Sequence, residues 1–365
     1  MQFAIYNFQF AIYHKSPPSL ISISKRQASG LGRKGMDNGM GVYGKQEYLP
    51  EGVLLDTPEN RRIIGSWDGL AEAALDGRVV EARAELCDSG HNLHVDMPGM
   101  AGVIPYLEGA LGIEEGITRD IALISRVGKP VSFTVTGFED LPDGSRRAVL
   151  SRREAQRRCK VLYINRLRRG DIIPARITRL ETFGAFCDIG CGLPALMPIA
   201  SISVSRISHP SDRFITGMDV LGVVSSLEDG RICLSQRELL GTWEENAALF
   251  SAGETVTGLV RSVEPYGVFV ELTPNLAGLA EPREGAAAGQ LAGIYIKSIL
   301  PEKMKLKLVI IDTVPALTGY RSGIHRCGDI GPVRSRPRYF QTSGRIDRWL
   351  YSPPDCGKCI ESVFI

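Results

Sequence analysis

Three landmarks of this 365-residue chain return at a single offset. Gly170 is answered by Gly253, Phe183-Gly184-Ala185-Phe186 by Tyr266-Gly267-Val268-Phe269, and Ala195-Leu196-Met197 by Gly278-Leu279-Ala280, each 83 residues later. A chain written this way is a tandem array, so its architecture follows from that of one unit. A more worn copy lies upstream. Gly77 and Gly102-Val103-Ile104-Pro105 precede Gly170 and Ala195–Pro198 by 93 residues. The ending Leu150-Ser151-Arg152-Arg153-Glu154 precedes Leu234-Ser235-Gln236-Arg237-Glu238 by only 84, so this copy holds nine extra residues between its middle and its end. Loops absorb such insertions at small entropic cost.

Each unit is ~70–80 residues of about five short alternating runs punctuated by Gly, Asp and Pro, a pattern that suits a small closed barrel. Regular helices of ten to fifteen residues between the strands, which a parallel sheet needs, are missing from the pattern. The expected fold is therefore mainly β: three tandem five-stranded OB-type barrels behind a short N-terminal helical preamble. The barrels are expected at 77–155, 170–240 and 253–312, with a basic linker at 156–169 and a C-terminal tail over 313–365.

Ahead of the repeats, Gln2–Tyr6 is repeated at Gln9–Tyr13, and the text to Gly35 fits neither a secretory signal nor a transit peptide. This segment reads as a non-globular extension, and translation is expected to start at Met36. From Met36 to Asp76 eight acids face three bases. In this acidic preamble Thr57-Pro58-Glu59 reads as an N-cap with Pro at the first helical position. Ile63, Ile64, Trp67, Leu70 and Leu75 then follow a helical stripe to Gly77, which predicts one amphipathic helix.

Several function classes fall away. Lys and Arg number 43 against 41 Asp and Glu, so any polyanion partner must be argued from local clusters. No run reaches the ~18 apolar residues of a membrane span. Eight scattered cysteines point to reduced thiols in the cytoplasm. Cys356 and Cys359 have metal-ligand spacing, but Cys327 and His325 complete no standard zinc site, so no metal is expected. No nucleophile-base grouping, phosphate-cradling loop or paired carboxylates stand at useful spacing, which predicts no catalysis, no cofactor and no small-molecule substrate.

The second unit resembles the S-one RNA-binding domain, named after the largest protein of the bacterial small ribosomal subunit. The residues that carry the likeness are Gly170, Phe183–Phe186, Gly192–Pro198 and Glu228–Arg237, the last corresponding to the family's Asp-x-x-Gly-Arg-Ile-x-Leu-Ser-x-Arg ending. The third unit is similar at its front and middle but has Lys303-Met304-Lys305-Leu306-Lys307-Leu308 where that ending would stand. The first keeps the frame and has Asp88–His94 in place of the aromatic turn. Where the family usually has a histidine after the Gly-Leu block, this chain has Met197. The three copies together resemble the short S-one-like ribosomal proteins of Gram-positive, clostridia-like bacteria, as does the tail from about Arg338 to Phe364. The resemblance implies binding of single-stranded RNA, mRNA in particular, at the small ribosomal subunit. The same module also serves RNA decay and transcription, and OB-like barrels also act as protein scaffolds.

Single-stranded RNA is held by exposed aromatic planes and by cations that track its phosphates. Phe183 and Phe186 supply such a plane in the second unit. Three residues apart, they would face opposite ways on a regular strand, so Gly184 is expected to provide a bulge or tight turn. Tyr266 and Phe269 repeat the arrangement. The expected polar contacts are His209, Arg206, Arg213, Arg231 and Arg237 in the second unit and Arg261, Lys297, Lys303, Lys305 and Lys307 in the third. Between Arg146 and Arg169 ten positive residues, including Arg157, Arg158, Arg168 and Arg169, are opposed in sequence only by Glu154. That density reads as a polyanion handle, with salt-dependent affinity expected from counterion release.

Overall fold

In the computed structural model of the protein, residues 48–228, 230–314, 337–353, 356 and 359–365 are described. The duplicated extension at 1–35, the proposed start at Met36, Asp229, Cys327, His325 and the tail segment around Gly319–Pro332 lie outside the described residues.

Thr57 caps α1 (Pro58–Ile64) by accepting a hydrogen bond from the Asn60 amide, with Pro58 at the first helical position. The chain then turns, and α2 (Trp67–Asp76) begins from a second cap, Ser66, whose hydroxyl accepts from the Gly69 amide. Two short helices thus stand where one is expected. Ser66 satisfies the free amides of α2 only from an extended backbone, so capping α2 requires breaking the helix there. Ile63, Ile64 and Leu70 are buried as expected, but Leu75 is 89% exposed. Gly77 ends α2 in the left-handed conformation, its amide bonded to the Ala73 carbonyl.

Three closed barrels follow. The first contains β1 (Val80–Cys87), β2 (Leu93–Asp96), β3 (Ala101–Ile104), β4 (Pro130–Asp140) and β5 (Arg146–Ser151), with α3 (Ile121–Ile124) in the long connection before β4. After α4 (Arg152–Leu162) come β6 (Ile172–Glu181), β7 (Gly184–Asp188), β8 (Pro194–Pro198), β9 (Asp219–Glu228) and β10 (Arg231–Ser235). After α5 (Trp243–Ala247) come β11 (Thr255–Glu264), β12 (Gly267–Thr273), β13 (Leu276–Ala280), β14 (Leu291–Leu300) and β15 (Lys305–Val314). Every barrel has the same order: the first strand pairs with the second, the second with the third, the third in parallel with the fifth, the fifth with the fourth, and the fourth back with the first. The fold is mainly β with OB-type closure, as the repeats predict. Alternate residues such as Ile173, Ala175 and Ile177 fill the interior of the second barrel.

The residues expected to form a basic linker are largely helix. Ser151 caps α4 by accepting from the Glu154 amide, so the Leu-Ser-Arg-Arg-Glu ending of the first unit is a helix start as well as a strand end. Past the third barrel, β16 (Arg348–Leu350) pairs with β17 (Glu361–Val363). Ile346, Trp349, Tyr351 and Phe364 from this tail share one core with Leu221, Leu239 and Trp243 and with interior residues of the third barrel, so the second and third barrels are packed together.

The end of the preamble is built into the junction of the first two barrels. The Glu51 carboxylate accepts from Arg152 at 2.7 and 3.2 Å and from Arg126 at 3.0 Å, while the Glu51 amide donates to Asp188. Glu81 accepts from the amides of Gly52, Leu54 and Leu55 and from the Ser132 hydroxyl. Burial would raise Glu51, but the charges of Arg152 and Arg126 hold it below its ordinary range. Burial and the neighbouring charge of Glu51 push Glu81 up to about 8. A carboxyl with a pKa higher folded than unfolded contributes fully below the unfolded value, 4.5, and its contribution is lost as pH rises through about 8. Glu81→Gln keeps a carbonyl acceptor and stays neutral. Its melting temperature is expected to fall less than that of the unaltered protein between about pH 5 and pH 8. Parallel melting profiles would show that Glu81 ionises in the ordinary range.

Candidate nucleic-acid interface

The second-barrel aromatic pair is brought to one surface by a hairpin. Glu181 pairs with Gly184, which leaves Thr182 and Phe183 as a two-residue turn, and Phe183 stands 55% exposed at its tip. Phe186 lies outward on β7 between the inward Ala185 and Cys187. The rings meet edge to face with centroids 6.0 Å apart. Of the two expected devices, a bulge or a tight turn, the structure has the turn: Gly184 closes it and forms no bulge. A side chain there would come within 2.5 Å of the Met197 carbonyl oxygen, so glycine is needed for the close approach of β8. Tyr266 and Phe269 repeat the geometry at 6.3 Å and 88°, and Gly267 is held equally close to the Ala280 carbonyl. Neither pair belongs to a barrel core.

A bulge does exist, on the preceding strand, and it recurs in all three barrels. It falls between Ala84 and Leu86 on β1, between Ile177 and Arg179 on β6, and between Val260 and Ser262 on β11. The register then lays out one matching row on each barrel. In the second it is Arg179, Phe186, Leu196 and Cys233; in the third, Ser262, Phe269, Leu279 and Lys307. In the first it is Leu86, His94, Val103 and Val149. His94 thus takes the place of Phe186, and its ring nitrogen lies 3.0 Å from Asp88. Hydrogen bonds from His94 and Asn92 hold Asp88 down to about 2, so this turn presents a carboxylate where the other barrels present rings.

The expected cations separate into two groups. On the outer face, Arg231 is exposed two residues before Cys233, and on β15 Lys305 stands two residues before Lys307, the last member of the third-barrel row. Lys297 is also exposed, 3.3 Å from Glu281, and Lys303 lies in the turn before β15. The other group serves the structure. His209 caps the turn Pro210–Asp212, its Nδ1 accepting from the Ser211 amide. Arg213 and Arg261, both partly buried, pair with the buried Glu271, each at 2.7 Å. Arg237 donates to Ser362 and pairs with Glu238, and so holds the tail. Met197 is buried in the barrel interior.

The basic stretch from Arg146 to Arg169 is largely neutralised in space. Arg146 pairs with Asp140, Arg147 with Glu139, Arg152 with Glu51, Arg153 with Glu114, and both Arg157 and Arg158 with Glu154. The Arg169 guanidinium donates to the carbonyls of Ser225, Val363 and Ile365. Lys160, Arg166 and Arg168 are exposed with no ion-pair partner among the described residues. Arg168→Ala is therefore expected to flatten the salt dependence of RNA affinity by about 0.7, the value for one phosphate contact on a single strand. Arg158→Ala is expected to leave it unchanged. Equal slopes for all three proteins in a salt titration would place the joint outside the RNA path.

Among the described residues no group of His, Cys, Asp and Glu could hold a metal ion, and no helix is long and apolar enough to cross a membrane. No family profile matches the chain. Over 261 residues it is 28% identical to the small ribosomal subunit protein bS1 of Leuconostoc lactis, which covers 69% of this chain and 56% of that protein. Against bS1 of Staphylococcus haemolyticus it is 28% identical over 287 residues, 74% of this chain and 70% of that one. The chain thus spans just over half of the first of these curated relatives and about seven tenths of the second. Among solved structures, a Streptococcus pneumoniae multidomain protein with nucleic acid binding domains matches at 14% identity, 65% coverage of this chain, 74% of that chain and a TM-score of 0.23. The a/eIF2alpha–aDim2p–rRNA complex from Pyrococcus horikoshii matches at 24% identity, 23% and 51% coverage and a TM-score of 0.20. The barrel assignment rests on the strand order itself. In its three closed five-stranded barrels and in sequence, the chain is similar to the bS1 proteins.

Proposed function

We propose that the chain binds single-stranded RNA on the outer faces of its second and third barrels, without catalysis, and does so in translation as an S-one-like associate of the small ribosomal subunit in the cytoplasm. The observation that carries this reading is the pair of edge-to-face aromatic sites, exposed at the same register position of two barrels with cations on the same faces. Exposed rings at these positions cost solubility and contribute little to folding, whereas each stacked base contributes ~1–3 kcal/mol to binding. The first barrel, with His94 and Asp88 in place of the rings, supports packing with the preamble more than contact with RNA. The name of the curated relatives supports a place in translation over one in RNA decay or transcription. Sedimentation of the tagged protein through ribosome gradients, with RNA crosslinking, tests both parts. Co-migration with small subunits and crosslinks to mRNA are expected. Crosslinks without co-migration would move the protein to decay or transcription, and salt-independent or absent RNA binding would leave a protein scaffold.

A further inference from the structure

On a regular β6 the alternation of Ile173, Ala175 and Ile177 would carry residue 179 into the barrel. The bulge at Thr178 reverses the parity. Arg179 consequently faces outward directly across from Phe186, and residues so opposed on an antiparallel pair share one face. Its side chain is 73% exposed, and its one ion pair is with Glu181 on the same strand. Such an exposed pair is weak and easily exchanged for a phosphate, with which a guanidinium forms stronger, bidentate hydrogen bonds.

The matching row of the third barrel has the opposite arrangement. Ser262 stands where Arg179 does, and Lys307 stands where the second barrel has Cys233. Lys307 is exposed and has no ion-pair partner among the described residues.

Resting on the reading that these faces bind single-stranded RNA, we propose that Arg179 is a phosphate-contacting residue of the second-barrel site. Lys307 is its counterpart on the other flank of the third-barrel site. The RNA backbone then runs along the β6 side of Phe186 and along the β15 side of Phe269.

The test is titration of labelled oligouridylate with the full chain at several salt concentrations. Arg179→Ala is expected to bind about five-fold more weakly and to lose about 0.7 of the salt slope, with melting unchanged because the side chain is exposed. Arg179→Lys should keep the slope, Lys307→Ala should lose a similar share of it, and Ser262→Arg should gain one contact. If Arg179→Ala matches the unaltered protein while Phe183→Ala with Phe186→Ala binds weakly, the assignment of Arg179 is overturned and the RNA face stands. Weaker binding at an unchanged slope would overturn the phosphate role. If the double Phe variant also binds undiminished, the RNA face itself fails, and the assignment of Arg179 with it.

Discussion

Glu271→Ala is expected to destabilise the protein by about 3–5 kcal/mol, the cost of removing one partner from a buried ion pair. Glu271 is fully buried on β12, and both Arg213, from the connection before β9, and Arg261, the extra residue of the β11 bulge, donate to its carboxylate. Burial alone would raise its pKa, but the charges of the two arginines outweigh that and hold it below the ordinary range. Without the carboxylate two guanidinium groups remain face to face in the seam between the second and third barrels, with Asp212 at 3.5 Å from Arg261 as the nearest compensation. Thermal melting of the full chain measures the loss. Replacing all three residues together by Leu and Met should recover much of it, because the desolvation cost of the charges disappears with them. A Glu271→Ala protein that melts within about 1 kcal/mol of the original would mean that water enters the seam.

Phe183→Ala with Phe186→Ala is expected to weaken single-stranded RNA binding by about 2 kcal/mol, roughly thirty-fold, while the protein stays folded. The exposure of Phe183 and the absence of both rings from the barrel core separate this outcome from a packing role. Core phenylalanines would cost about 3–5 kcal/mol each on truncation, whereas an exposed edge-to-face pair contributes about 0.5–1.5 kcal/mol to folding. Melting and RNA titration on the same preparation distinguish the two. A smaller affinity loss is expected from Tyr266→Ala with Phe269→Ala, because the third barrel has Lys303–Leu308 where the second has its Arg-Ile-x-Leu-Ser-x-Arg ending. An unfolded double Phe variant would return the rings to the core, and a folded one with full affinity would put the RNA elsewhere.

The sequence alone determined the number of barrels, their closure and the positions of the two aromatic pairs. A repeated unit with period-two strands has few ways to bury its apolar face, and Phe-Gly-Ala-Phe answered by Tyr-Gly-Val-Phe ties the rings to one place in that unit. Two short helices in place of one came from Ser66, whose capping hydroxyl was present in the text but competes with a continuous apolar stripe. The charges were decided by the tertiary structure. Arg152 meets Glu51 from 101 residues away, and Arg153 meets Glu114 from 39, so a local count cannot separate a neutralised helix from a polyanion handle. Arg179 was hidden for a related reason: alternation places it inside, and only the bulge, formed by pairing β6 against β7, turns it toward Phe186. Strand periodicity is local and survives in the sequence, whereas ion-pair partners and register shifts are set by which distant strands come to lie side by side.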